Sequence, residues 1–415
     1  MPLYSWKGKG SIKLEPLSQK TSPWKESCFP FPLPWGKKRK NSQEVPMEAS
    51  PLFLYTPRCA LFDYGRYHPL RLFRLKLSVD LMDHYNLLSP PVERAEPQEA
   101  PEDALLTFHE ASYLKALEAA DREGKPFPAM GLGNSDNPVF PGVYTLSRLV
   151  VGGTLEGTLQ ALEGRRVFHL GGGMHHAWPS KAEGFCYLND IVIALKEAIN
   201  RGAKVLYLDI DAHHCDAVQE AFYKDPRVLV VSFHQYGPDT YPGTGAPEEL
   251  GEGEGRGYNL NLPLDRYTED EALWWAYQEL IPPLLEAFQP DLLFTQLGVD
   301  AHKDDPLTAL FLTTGFYERL AQDLASRWQS SWMAVGGGGY DIVNVARIWT
   351  LMWGAMVGKN VPEMLPESFL RISRMEGYDG PTIRDVPGWS GTPGHIPAEM
   401  RRRVELLKKA CPLFD

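Results

Sequence analysis

No apolar run in this chain approaches the ~18–20 residues needed to cross a bilayer. The amino-terminal stretch has no continuous hydrophobic segment of the kind a secretory signal requires. Cysteine is scarce: five residues in 415, none in a Cys-x-x-Cys pair, which excludes a disulfide framework and fits a reducing, cytoplasmic setting. Positive charge is also short. The net charge of −11 excludes a general nucleic-acid or membrane-surface binder. Internal repeats, the spaced glycines of a dinucleotide fold and the Lys-Ser/Thr of a phosphate loop are all lacking.

What basic charge there is gathers at one end. Residues 1–50 hold nine Lys/Arg against four Asp/Glu, so that segment carries +5 and the remainder −16. With Pro30, Pro32, Pro34 and Lys37-Lys38-Arg39-Lys40, and no periodicity, residues 1–46 read as a proline-containing extension without regular structure. A nucleic-acid contact by that basic tail is the weaker alternative. Residues 47–415 read as the globular domain, ending in a charged helix near 397–410.

From Pro51 onward, apolar strand-like runs alternate with amphipathic ones. Strands are expected at 52–55, 166–170, 205–211, 228–234, 292–297 and 332–335. Helices are expected near 143–162, 188–200, 268–288, 315–328 and 341–357. Nearly continuous apolar strands separated by helices imply one three-layer α/β domain, with a central, mostly parallel sheet covered on both faces. In such sheets the functional site lies at the carboxyl ends of the strands.

Four expected strands end in reactive residues: Gly171-Gly-Gly-Met-His-His176, Asp209-Ile-Asp-Ala-His-His-Cys-Asp216, Gln296-Leu-Gly-Val-Asp300 and Gly336-Gly-Gly-Gly-Tyr340. Side chains two apart on a strand share a face, so Asp209, Asp211 and His213 line up where the strand runs out. Asp211, His213 and Asp300 form a zinc-type ligand set that leaves positions for water and a substrate oxygen. Taken singly, Asp211 and Asp300 could equally cap a helix and a loop. His175 and His176 follow glycines that permit close backbone approach. They read as proton handlers for an amide or ester hydrolysis, or else as ligands or an ordinary loop pair. Asp209 and Asp216 are spare carboxylates, each able to hold the distal nitrogen of one histidine or to serve as a cap or surface charge. A phenol presented by glycines at this edge, Tyr340, reads as a donor to a developing oxyanion.

These motifs, with Gly184-Phe-Cys-Tyr-Leu-Asn-Asp190 and Tyr241-Pro-Gly-Thr-Gly245, resemble the zinc-dependent histone deacetylase family of the arginase-deacetylase fold, in order and spacing over about residues 52–350. Gly131-Leu-Gly133 followed by Asp136-Asn-Pro-Val-Phe-Pro-Gly142 is most similar to the bacterial acetoin-utilisation deacetylases. The resemblance implies removal of acetyl groups from lysine side chains of proteins or peptides, with a zinc-bound water as nucleophile and acetoin utilisation or acetyl-CoA synthetase control as context. It implies zinc, or alternatively iron(II), on Asp211, His213 and Asp300. His176 would be general base and acid, His175 its electrostatic partner, and Tyr340 the oxyanion donor. Asp209 and Asp216 would back the histidines. Phe185 and Tyr241 would wall a lysine tunnel lined by Gly184, and Asp136 would hold substrate amides at its rim. Potassium is implied near Asp209, Asp211, His213, Ser232 and Phe233, with a second ion near Phe222, Asp225, Val228 and Tyr258.

Three rivals remain at this level. An arginase-like enzyme needs an Asp two residues after the ligand His and a paired Asp-x-Asp for its second manganese. Here Asp216 comes three after His213, and Asp300 is followed by Ala301 and His302. An acetylpolyamine amidohydrolase would carry a selecting Glu where Leu307 stands. A catalytically inactive acyl-lysine-binding module is the third. The family pattern His-His-Gly-Asp-Gly is broken by Cys215 and Ala217, which raises the question of whether Asp216 keeps its place.

Overall fold

A computed structural model of the chain describes residues 25–26, 49–385 and 396–414. Apart from Lys25 and Glu26, the extension read over residues 1–46 lies outside the described residues. The strands are β1 (Lys25–Glu26), β2 (Leu52–Leu54), β3 (Glu93–Glu96), β4 (Arg166–His169), β5 (Val205–Asp209), β6 (Val228–Gln235), β7 (Asn259–Leu264), β8 (Leu292–Gln296) and β9 (Trp332–Val335). They form one sheet in the order β1-β3-β2-β4-β9-β8-β5-β6-β7, and every neighbouring pair is parallel. It is thus an eight-stranded parallel sheet extended at one edge by the two residues of β1.

The strand sequences explain the layering. In β5 every residue is buried, yet successive side chains face opposite ways. Val205 and Tyr207 pack with Ile191, Leu195 and Ile199 of helix Asp190–Asn200 and Val218 of helix Asp216–Phe222. Leu206 and Leu208 belong to the larger core, with helices Asp270–Phe288, Thr314–Arg327 and Ile342–Met356. Both faces are therefore covered, as nearly continuous apolar strands require. Helix starts are set locally: Asn189 accepts from the Val192 amide and Asp341 from those of Val343 and Asn344.

The expected strands and helices all form, to within two residues at most ends. Strands β1, β3 and β7 and helices Phe73–His84, Glu102–Leu105, Ala111–Glu123, Asp216–Phe222 and Glu367–Met375 are additions. Glu93-Arg-Ala-Glu96 has no apolar alternation, so its strand state comes from pairing with Leu52–Leu54 rather than from its own pattern. In β7 the alternation Asn-Leu-Asn-Leu was present, but Pro263 masked it, and proline belongs on an edge strand such as this one. Arg403 of helix Ala398–Ala410 covers that edge, bonding the Pro263 carbonyl at 2.8 Å. Among the described residues no helix is long and apolar enough to cross a membrane.

Candidate active site

β4, β9, β8 and β5 are consecutive in the sheet, so their carboxyl ends sit side by side. The register aligns His169 with Val335, Val335 with Gln296, and Gln296 with Asp209. This alignment brings the four reactive sequence stretches to one edge.

Asp211, His213 and Asp300 converge there, with one ligand atom of each within 4.8 Å of the others. His213 Nδ1 is 3.1 Å from Asp211 Oδ1 and 2.9 Å from Asp300 Oδ2. The carboxylates are held from behind. Asp211 Oδ2 accepts from Gln296 Nε2 and from the Gly338 amide, both at 2.7 Å, and Asp300 Oδ1 accepts from the Ala212 amide at 2.8 Å. Burial and the charge of Asp211 push Asp300 above the usual carboxylate range. Two buried carboxylates forced together call for a cation.

The donor set fits a divalent ion of the zinc class, and the backbone makes room for it. A methyl group on Gly338 would lie 2.1 Å from Asp300 Oδ2 and 2.8 Å from Asp211 Oδ2, and one on Gly298 would lie 2.3 Å from Asp211 Oδ2. Glycine is required at both places by close approach alone.

Beside this triad stand two histidine–aspartate pairs. His175 Nδ1 is 2.9 Å from Asp209 Oδ2, which also accepts from the Tyr207 hydroxyl, and His176 Nδ1 is 2.8 Å from Asp216 Oδ1. A carboxylate only accepts, so each Nδ1 carries the hydrogen and each Nε2 is left for chemistry. Burial alone would lower His175, but Asp209 and Asp211 overcome it and raise the imidazole to about 9. Burial and the neighbouring His175 charge hold His176 down to about 4 against the pull of Asp216. The pair therefore holds one imidazole charged and the other neutral near pH 7.

The loop bearing the histidines is anchored from helix Asp190–Asn200. Asn189 Nδ2 donates to the carbonyls of His175 and Ala177, at 3.1 and 3.0 Å, and Asp190 accepts from the amides of Gly173 and Met174. His109 Nε2 in turn accepts from the Asn189 amide at 2.9 Å.

Tyr340 presents its ring 6.4 Å from that of His213 and 5.7 Å from that of Phe185. Burial, then Asp300 and Asp211, keeps its phenol protonated and available as a donor. Tyr241 lies 4.9 Å from His176, edge to face, and 38% of its surface is exposed. Phe185 adopts φ 68° after Gly184, whose φ is 54°. A methyl on Gly184 would lie 2.6 Å from His176 Cδ2, so this turn lies flat on the imidazole. Asp136 is exposed. Its carbonyl is 3.1 Å from Nε2 of His68, whose ring packs 4.5 Å from Phe185. Leu307 is 43% exposed, and its amide is bonded to Asp305.

The doubt over Asp216 is answered by the backbone. Cys215 has φ −78° and ψ 56°, which any residue adopts, and its side chain is buried; Asp216 follows as the first residue of its helix. His214 faces away from the triad, toward Thr244 Oγ1 at 2.8 Å and Gln219 Oε1 at 3.1 Å. Of the residues implied for a second potassium, Tyr258 accepts from the Val230 amide at 2.9 Å and Asp225 pairs with Arg227.

Some contributors gave no sequence signal. Arg74, on helix Phe73–His84, is fully buried, donates to the carbonyls of Gly339 and Gly337 at 2.6 and 2.7 Å, and lies 5.2 Å from the Trp349 ring centre. It holds the glycine run that carries Tyr340. His68 is likewise isolated in the sequence, and only the fold brings it to the site. Asp305 follows Asp300 along the same segment but belongs to none of the four reactive stretches.

The histone deacetylase domain model matches residues 68–356, and the chain belongs to the histone deacetylase family. With the family comes its hydrolytic, deacetylating chemistry. The chain is similar to the acetoin utilization protein AcuC of Bacillus subtilis (strain 168), 38% identical over 329 residues, covering 75% of this chain and 84% of that protein. It is 34% identical to histone deacetylase B of Dictyostelium discoideum over 351 residues, 81% of each chain. The crystal structure of an HDAC homolog from Aquifex aeolicus superposes with a TM-score of 0.79 at 32% identity, covering 86% of this chain and 99% of that one.

Proposed function

We propose that this chain removes acetyl groups from lysine side chains of proteins or peptides, using a metal ion held by Asp211, His213 and Asp300. The observation that carries the reading is the single edge on which this triad, the two histidine–aspartate pairs and Tyr340 meet. Phe185 and Tyr241 grip the aliphatic stem, Gly184 leaves room beside it, and Asp136 holds the substrate amides at the rim. Asp211, His213 and Asp300 would hold zinc, or alternatively iron(II), which would supply Lewis acidity toward the scissile carbonyl and lower the pKa of a water molecule so that it can serve as nucleophile. Tyr340 donates its hydroxyl hydrogen to the carbonyl oxygen as negative charge builds there. His176 Nε2 takes the proton from the attacking water, with Asp216 fixing the ring through Nδ1. The same proton goes to the lysine nitrogen as the C–N bond breaks, releasing acetate and leaving the unmodified lysine side chain in the peptide. His175, backed by Asp209, supplies positive charge beside this transfer.

Leu307 favours lysine over a polyamine, because an exposed apolar residue offers no counter-charge to a cationic substrate. The likeness to AcuC supports a role in acetoin utilisation. Purified enzyme loaded with zinc or with iron(II) should hydrolyse acetyl-lysine peptides and leave acetylpolyamines and arginine largely untouched. Activity confined to acetylpolyamines would overturn the substrate reading, and no hydrolysis with either metal would favour an acyl-lysine-binding module.

A further inference from the structure

Tyr340 ends a run of four glycines, of which Gly337 and Gly339 have φ of 145° and 130°. Such a run has wide torsional freedom, so the place of the phenol is set by what the backbone is tied to. Arg74 ties the carbonyls of Gly337 and Gly339, and Asp211 ties the Gly338 amide. The Tyr340 amide itself is taken by Asp305, at 2.8 Å from Oδ2.

The other oxygen of the same carboxylate accepts from the Leu307 amide at 3.0 Å. One residue further on, the Thr308 hydroxyl donates to the carbonyl of Asp300. A buried carboxylate thus joins the loop carrying the phenol to the segment carrying the exposed Leu307. Only an acceptor at both ends satisfies two converging N–H groups. An amide would turn its own NH2 against one of them.

We propose that Asp305 is a positioning residue that sets the Tyr340 hydroxyl at the scissile carbonyl and couples it to the exposed Leu307 segment through the two N–H bonds it accepts. The proposal rests on the reading of Tyr340 as oxyanion donor. It acts through the peptide of Tyr340, and Asp305 touches neither substrate nor metal.

The test is a double-mutant cycle on the metal-loaded enzyme with an acetyl-lysine peptide. Asp305→Asn is expected to lower kcat by about 10²-fold, the scale of a misplacement near 1 Å, with metal content unchanged. In a Tyr340→Phe background the same change is expected to cost no more than about twofold, since the phenol it would misplace is already gone, whereas uncoupled sites would show the full loss in both backgrounds. An equal fall in both backgrounds, or loss of metal from Asp305→Asn, would overturn the proposal. Asp305→Ser, which keeps one acceptor and adds no opposing NH2, runs through the same cycle if the Asn variant fails to fold. The affinity of an aliphatic hydroxamate, whose carbonyl takes the scissile carbonyl's place, gives a readout independent of turnover. Asp305→Asn should weaken it only where Tyr340 keeps its hydroxyl. If the wild type cleaves no acyl-lysine peptide, the deacylase reading falls, and equal weakening of the hydroxamate in both backgrounds would still refute the positioning role.

Discussion

Replacing Gly338 by alanine tests the metal site without replacing any proposed ligand. The added methyl would sit 2.1 Å from Asp300 Oδ2 and 2.8 Å from Asp211 Oδ2. Carbon and its non-bonded neighbours settle at about 3.5 Å or more, so Asp300 Oδ2 must retreat by more than about 1 Å. Metal–ligand distances tolerate only about ±0.2 Å. Disturbing the groups around a ligand costs about 10–100-fold in affinity, and displacing a ligand oxygen by five times its tolerance belongs at the upper end or beyond. Gly338→Ala is therefore expected to bind zinc at least about 10²-fold more weakly, with the fold intact because the residue 338 amide can still reach Asp211.

The assay is equilibrium dialysis against buffered free zinc with elemental analysis, beside thermal melts. Ligand at 100 times its dissociation constant stabilises a protein by about 2.7 kcal/mol, so zinc should raise the melting temperature of the wild type and barely move the variant. Gly237→Ala is the control. Its methyl would meet Thr240 Oγ1 at 3.7 Å, an ordinary contact, and zinc affinity should not change. Wild-type affinity in Gly338→Ala would refute the assigned ligand geometry.

Removing the phenol hydroxyl by Tyr340→Phe should cut kcat by about 10²–10³-fold; turnover within a factor of a few of wild type would remove Tyr340 from the chemistry. Leu307→Glu should raise acetylpolyamine hydrolysis relative to acetyl-lysine peptide by no more than about fivefold, since an exposed ion pair is worth at most about 1 kcal/mol; competition kinetics would show it. Burial holds His109 down to about 4 in the folded chain, against 6.5 when unfolded. Between these values the unfolded chain binds the extra proton, so stability falls as pH drops below 6.5, by about 2 kcal/mol at pH 5. Urea melts of His109→Gln should lack that share of the decline between pH 7 and pH 5, and an unchanged decline would refute the assignment.

Much of this site was legible because its chemistry is written in short stretches at strand ends. Val205–Asp209 is apolar enough to be read as a strand, and the alternation Asp209, Asp211, His213 carries the face outward from it. The parallel order β4-β9-β8-β5 then turns four separate motifs into one edge. What escaped has no such local mark. Arg74 reaches glycines 263 and 265 residues away, and His68 reaches Asp136 across 68 residues. A lone Arg in an amphipathic run reads as surface charge, and only tertiary packing buries it. The strand Glu93–Glu96 escaped for the same reason, since its conformation is imposed by its neighbour.

The spacing after His213 shows how little sequence separates a one-metal edge from a two-metal one. An arginase-like motif returns an Asp to the metals two residues after the histidine. Here the chain takes one residue more, and that residue decides which way the carboxylate faces. Cys215, in an unstrained conformation with its thiol buried, carries the backbone into helix Asp216–Phe222. Asp216 therefore opens that helix, beside His176 at 2.8 Å rather than among the ligands. His214, the other residue that could have served a second ion, is turned to Thr244 and Gln219. Among the described residues, only Asp211, His213 and Asp300 group as metal ligands. The carboxylate that a second metal would have used is instead the one that orients the proposed base.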